Sequence, residues 1–167
     1  MTESEDLMTS EDTQKDKYLS FNLGNSEYAI PIHYVLEIIG LQPITRVPDV
    51  PNYVKGVINI RGKVIPVVDL RQRFGLEERA YDDRTCIIIV RIEEMQVGLI
   101  VDTVNEVLKI ESQQIEPPPE VKRGQANKFI DGLAKVADSV KIVLNMASIL
   151  EISEGEQSKA VAEIEAS

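Results

Sequence analysis

The side chains able to do chemistry in this sequence are few and scattered. Its one histidine, His33, directly follows an apolar, strand-like run. A general base with no paired nucleophile makes no mechanism. The single cysteine, Cys86, opens the run Cys-Ile-Ile-Ile-Val and reads as a small core hydrophobe with no disulfide partner. One histidine and one cysteine also lack the clustered ligand spacing of a zinc site. The acidic pairs Glu77-Glu78 and Asp82-Asp83 flank a turn and read as a solvated loop rather than a divalent-cation site. Gly56 and Gly62 are not followed by the Lys-Ser or Lys-Thr of a phosphate loop, and Gly62 is better placed as a turn residue at positive φ. A hydrolase built on Asp69, Asp102 and Asp131 would need those carboxylates to converge with separated pKa values. The expectation is a chain that is not an enzyme and needs no cofactor or metal.

What remains is a surface for recognition. Glu37 sits amid Val35, Leu36, Ile38 and Ile39, and Arg61 falls in the turn Asn59-Ile60-Arg61-Gly62. A guanidinium beside an apolar groove offers directed hydrogen bonds and a flat stacking face.

The elements that must position these residues are strands. Segments 18–23 and 28–32 flank a turn at Gly24-Asn25-Ser26. Further hairpins are expected at 54–60 with 64–68, at 85–92 with 96–101, and at 133–136 with 140–144. Pro31 lacks a backbone donor, which places its strand at an edge or a bulge. The two halves resemble one another. Residues 28–39 align with 97–108 at a shift of 69, placing Glu37 on Glu106. Residues 56–70 align with 132–146 at a shift of 76, placing Asp69 on Asn145, with about seven extra residues in the second half's connection. So long a period marks a duplicated subdomain rather than a solenoid. Two units of about five strands are expected, closing into barrels that remove exposed edges and leave a groove between them.

Composition narrows the partners. The formal net charge is −10 and the isoelectric point about 4.6, which disfavours nucleic acid and anionic lipid surfaces. A rival reading, a small β-barrel binding a ligand or single-stranded nucleic acid, wants a basic groove with stacking aromatics. The chain offers a local run of cations (Arg61, Lys63, Arg71, Arg73, Arg79, Arg84) and scattered Tyr18, Tyr28, Tyr34, Tyr53 and Tyr81. No apolar run approaches the roughly 20 residues that span a bilayer, and the acidic start lacks a signal-peptide core. A cytoplasmic protein without membrane insertion is expected. Residues 1–16 read as a disordered acidic lead and 153–167 as a flexible or partly helical tail. The folded part is then 17–152, with two interlocked barrel units at about 17–80 and 81–152.

The segment from Gly56 to Gly75, Gly-Val-Ile-Asn-Ile-Arg-Gly-Lys-Val-Ile-Pro-Val-Val-Asp-Leu-Arg-Gln-Arg-Phe-Gly, resembles the signature of the CheW-type chemotaxis coupling family. Residues 27–39, 97–102 with Val104 and Val107, and 129–133 fit the same pattern in order, and Ile60 stands where the family often has Leu. The resemblance implies a mainly β fold of two similar five-stranded SH3-like barrels with a few short helices. It implies a non-catalytic adaptor that is recruited to membrane receptor arrays. Its partners would be the cytoplasmic tip of methyl-accepting chemotaxis receptors and the regulatory domain of the CheA-type histidine kinase. By motif match, Val35, Glu37, Asn59 and Arg61 are carried over to receptor contact. Ile30, Ile32, Leu99 and Val101 are expected to line the groove, and the second barrel's surface loops to meet the kinase.

Overall fold

The computed structural model describes residues 14–118 and 128–150, so the expectations for the acidic lead and the tail fall mostly outside the described residues. Eleven strands run in chain order: β1 (Lys17–Leu23), β2 (Ser26–Pro31), β3 (Val35–Gly40), β4 (Val54–Ile60), β5 (Lys63–Asp69), β6 (Cys86–Ile92), β7 (Met95–Val101), β8 (Thr103–Lys109), β9 (Ile115–Glu116), β10 (Ile130–Val136) and β11 (Ser139–Leu144). One-turn helices α1 (Leu70–Arg73) and α2 (Met146–Ile149) follow β5 and β11, and 3₁₀ turns occupy Ile32–Tyr34 and Ser112–Gln114. The protein is mainly β. All four expected hairpins form, as β1–β2, β4–β5, β6–β7 and β10–β11.

The strands form a five-stranded sheet in the order β3-β6-β7-β5-β4 and a six-stranded sheet in the order β8-β1-β2-β11-β10-β9. Equal units of five become five and six because the two-residue β9 adds to the edge of β10. A boundary near residue 80 does not separate the sheets. The β1–β2 hairpin of the first half pairs with β8 and β11, and the β6–β7 hairpin of the second half pairs with β3 and β5. Each half lends its partner a hairpin. Pro31 consequently sits on an inner strand, and is tolerated because it ends β2, beyond the parallel pairing of Glu27–Ala29 with β11.

The internal repeat is visible residue by residue. β4 and β5 bulge between Val54 and Gly56, and β10 and β11 between Ile130 and Gly132, 76 positions on. Asp69 accepts from the Gln72 backbone N–H at 3.3 Å to cap α1, as Asn145 accepts from that of Ser148 at 3.3 Å to cap α2. Gly56 has φ 146, and a Cβ there would lie 2.1 Å from the Thr45 carbonyl, so only glycine lets that connection cross β4. Asn145→Ala removes a cap and is expected to cost about 1 kcal/mol in a denaturant melt. Asp69→Ala should cost more, because Asp69 also accepts the Tyr81 hydroxyl at 2.6 Å.

The main core lies where the sheets face each other. Leu19, Phe21 and Ile30 of the six-stranded sheet meet Ile88, Val90, Leu99 and Val101 of the five-stranded one. Fully burying side chains of this size gives about 1.5–3 kcal/mol each. Smaller cores fill the other face of each sheet: Ile58, Ile65, Val67, Ile87, Ile89 and Ile100 in one, and Ala29, Ile110, Ala134 and Val143 in the other.

Candidate functional site: the rim of the five-stranded sheet

β3 is an edge strand whose ladder to β6 slips between Val35 and Glu37. The slip leaves Val35 half-buried against the main core and sets Glu37 beside Ile89, over the smaller core. At the turn of the β4–β5 hairpin, which closes the other edge of the sheet, Arg61 and Gly62 take φ 52 and φ 85. The Asn59 side-chain oxygen accepts the Gly62 backbone N–H at 2.9 Å and braces that turn. Arg61 then reaches back across the sheet, and its Nη2 donates to the Glu37 carboxylate. Its side chain remains 73% exposed, so the charge is presented and not buried.

Around this pair lies an open depression of about 320 Å³, lined by Leu36, Glu37, Ile60, Arg61, Ile65 and Ile89, with Lys63 and Gln96 at its margin. Leu36 stands 45% exposed in its lining, and Ile38 and Val64 are 43% and 45% exposed on the neighbouring positions of β3 and β5. Apolar side chains around an oriented ion pair form the usual pattern of a protein-recognition hot spot.

Val35, Glu37, Asn59 and Arg61 are thus gathered on one rim, Val35 as half-buried support and Asn59 as the brace of the turn. The groove-lining expectation needs correction. Ile30, Leu99 and Val101 are at most 1% exposed, and Ile32 is half-buried against the same core. Alternation along β2 and β7 points these side chains at the opposite sheet, so they are packing residues and line no open groove. Leu36, Ile60, Ile65, Ile89 and Gln96 were missed. Leu36 and Ile60 adjoin Glu37 and Arg61 in sequence, which was a usable signal. Ile89 and Gln96 arrive on the exchanged hairpin, which no local pattern reports.

The carboxylates weighed for hydrolysis are otherwise engaged. Asp69 is the cap and the acceptor for Tyr81, whose hydroxyl is pushed up by burial and by that bond. Asp131 is exposed at the β10 bulge. Asp102 accepts from Arg71 Nε and Nη2 at 2.8 and 2.7 Å, Arg79 Nη1 at 3.0 Å and the Gly24 backbone N–H at 2.8 Å. Burial raises its carboxyl, but these donors outweigh burial and hold it below the usual carboxylate range. Of the tyrosines, Tyr28 is stacked inside the core between Phe21 and Phe74. Among the described residues no cluster of three metal-ligating side chains occurs, and no helix is long and apolar enough to cross a membrane.

Two β-sheets sharing a core, with an apolar rim and a presented ion pair, make a surface suited to recognising another protein. The CheW-like domain model matches residues 17–154, and the chain belongs to that family. It is 35% identical over 143 residues to a "Chemotaxis protein CheW" of Klebsiella aerogenes, covering 86% of each chain. It is 36% identical over 144 residues to the Bacillus subtilis protein of that name, covering 86% of this chain and 92% of the relative. The crystal structure of the scaffolding protein TtCheW from Thermoanaerobacter tengcongensis superposes with a TM-score of 0.78 at 38% identity, covering 84% of this chain and 96% of that one.

Proposed function

We propose that this chain is a non-catalytic cytoplasmic adaptor, recruited to membrane receptor arrays, that couples the tip of methyl-accepting chemotaxis receptors to the CheA-type histidine kinase. The observation that carries the reading is the rim of β3: exposed Leu36 beside a hydrogen-bonded Glu37–Arg61 pair. A receptor's helical hairpin lays apolar side chains over Leu36, Ile60 and Ile65 while the ion pair fixes register and orientation. Docking on this rim replaces the expected cleft between sheets, whose facing residues are core. The kinase's regulatory domain meets surface loops of the six-stranded unit, which leaves the rim free for the receptor. The name of the Thermoanaerobacter relative, a scaffolding protein, supports the same reading.

A pull-down with the immobilised chain tests it, using a receptor-tip hairpin and the kinase's regulatory domain, offered singly and then together. Each should be retained alone, and both together. Retention of neither, or exclusion of one by the other, would contradict the coupling role.

A further inference from the structure

The residues that line the docking depression have counterparts in the six-stranded sheet, and those at its floor differ. The internal shifts carry Leu36 to Asn105, Glu37 to Glu106 and Gln96 to Glu27, and carry Arg61 to Ala137 and Ile65 to Lys141. The ladders bear this out at single-residue resolution. Val67 lies opposite Gly98 in the five-stranded sheet, and its counterpart Val143 lies opposite Ala29 in the six-stranded one. Lys141 and Glu27 therefore face each other two residues earlier along the same parallel pair.

Exposed apolar side chains persist on the corresponding strands. Val107 and Val140, counterparts of Ile38 and Val64, are 51% and 52% exposed. The floor does not survive. Lys141 is 4% exposed and its Nζ donates to Glu27 Oε2 at 2.7 Å. Asn105 Nδ2 donates to Glu27 Oε2 at 3.4 Å and to Asn22 Oδ1. Ser20 replaces Ile89, and its hydroxyl donates to the Glu106 carbonyl at 3.1 Å. Ala137 keeps the positive φ of Arg61, 54° against 52°, without the guanidinium.

We infer that the six-stranded sheet holds a silenced duplicate of the docking site, and that the Glu27–Lys141 pair filling its floor limits the chain to one receptor-type helical hairpin. The inference rests on the docking role proposed above. An apolar helix laid over this face would find the charged Lys141 and the polar Ser20 in place of Ile65 and Ile89. It would strip the remaining water from the ion pair with nothing to replace it. It would also find no arginine to set its register. An adaptor built this way holds one such hairpin and cannot bridge two of them by itself.

Calorimetric titration of the full chain with a receptor-tip helical hairpin tests this through stoichiometry. The wild type should take one hairpin, and Glu37→Ala/Arg61→Ala should retain no binding at the wild type's affinity. Glu27→Gln/Asn105→Leu/Ala137→Arg/Lys141→Ile removes the buried ion pair, restores four residues of the first copy and should take two. Two hairpins on the wild type would overturn the inference, as would one hairpin held by Glu37→Ala/Arg61→Ala at the wild type's affinity. A folded fourfold variant that still takes one would also overturn it. Should that variant fail to fold, the wild type and Glu37→Ala/Arg61→Ala decide alone. No binding by the wild type would instead remove the docking role itself, an outcome distinct from a stoichiometry of two.

Discussion

Asp102→Ala is expected to lower the melting temperature by about 10 °C, corresponding to a loss of about 3 kcal/mol. The carboxylate is 10% exposed and its main partner Arg71 is 13% exposed, so neither has ready access to water. Removing it leaves the Arg71 guanidinium with one remaining bond among those described, from Nη1 to the Glu77 carbonyl at 2.7 Å. The damage would not be local. Asp102 ends the exchanged β6–β7 hairpin, Gly24 forms the turn of the exchanged β1–β2 hairpin, and Arg71 lies on α1, so one side chain ties together the pieces that each half lends the other. Acid should reveal the same group. Because its folded pKa is lowered, the stabilisation is complete above the unfolded carboxylate range and is lost as pH falls through the depressed value, below about pH 4. Thermal melts across that range should show Asp102→Asn losing the part of the wild type's acid sensitivity that belongs to this carboxyl.

Glu37→Ala and Arg61→Ala should each weaken binding of a receptor-tip hairpin by roughly 30-fold, the size of a hot-spot loss. Neither should move the melting temperature appreciably, since an exposed surface pair contributes little to stability. That separation of readouts distinguishes a recognition role from a structural one. If the pair acts as a unit, the double variant will lose little more than either single variant. Calorimetric titrations of the four proteins measure this directly. Additive losses would mean that each side chain contacts the partner independently.

The hairpins were legible because their turns carry Gly, Asn and Asp between β-branched runs, as at Gly24-Asn25-Ser26 and Arg61-Gly62. The duplication was legible because it preserves positions under backbone constraint, such as Gly56 with Gly132 and Asp69 with Asn145. β3 and β8 were harder to see. Leu36, Ile38 and Val107 are apolar yet exposed, so the sequence of these edge strands lacks the apolar/polar alternation that marks a strand. The exchange of hairpins was invisible, because which sheet a hairpin joins depends on pairing partners dozens of residues away. That gap explains the misplacement of Ile30, Leu99 and Val101. Alternation told which face of the strand they share, but not that another sheet covers it.

The location of the docking surface is tested most directly by backbone amide shifts of the isotope-labelled full chain on titration with an unlabelled receptor-tip hairpin. The expected result is a cluster of shifts at Leu36, Glu37, Ile38, Ile60, Arg61, Val64 and Gln96, with Asn105, Ala137 and Lys141 unmoved. Shifts centred on Lys141 and Val107, or no shifts at saturating hairpin, would contradict it.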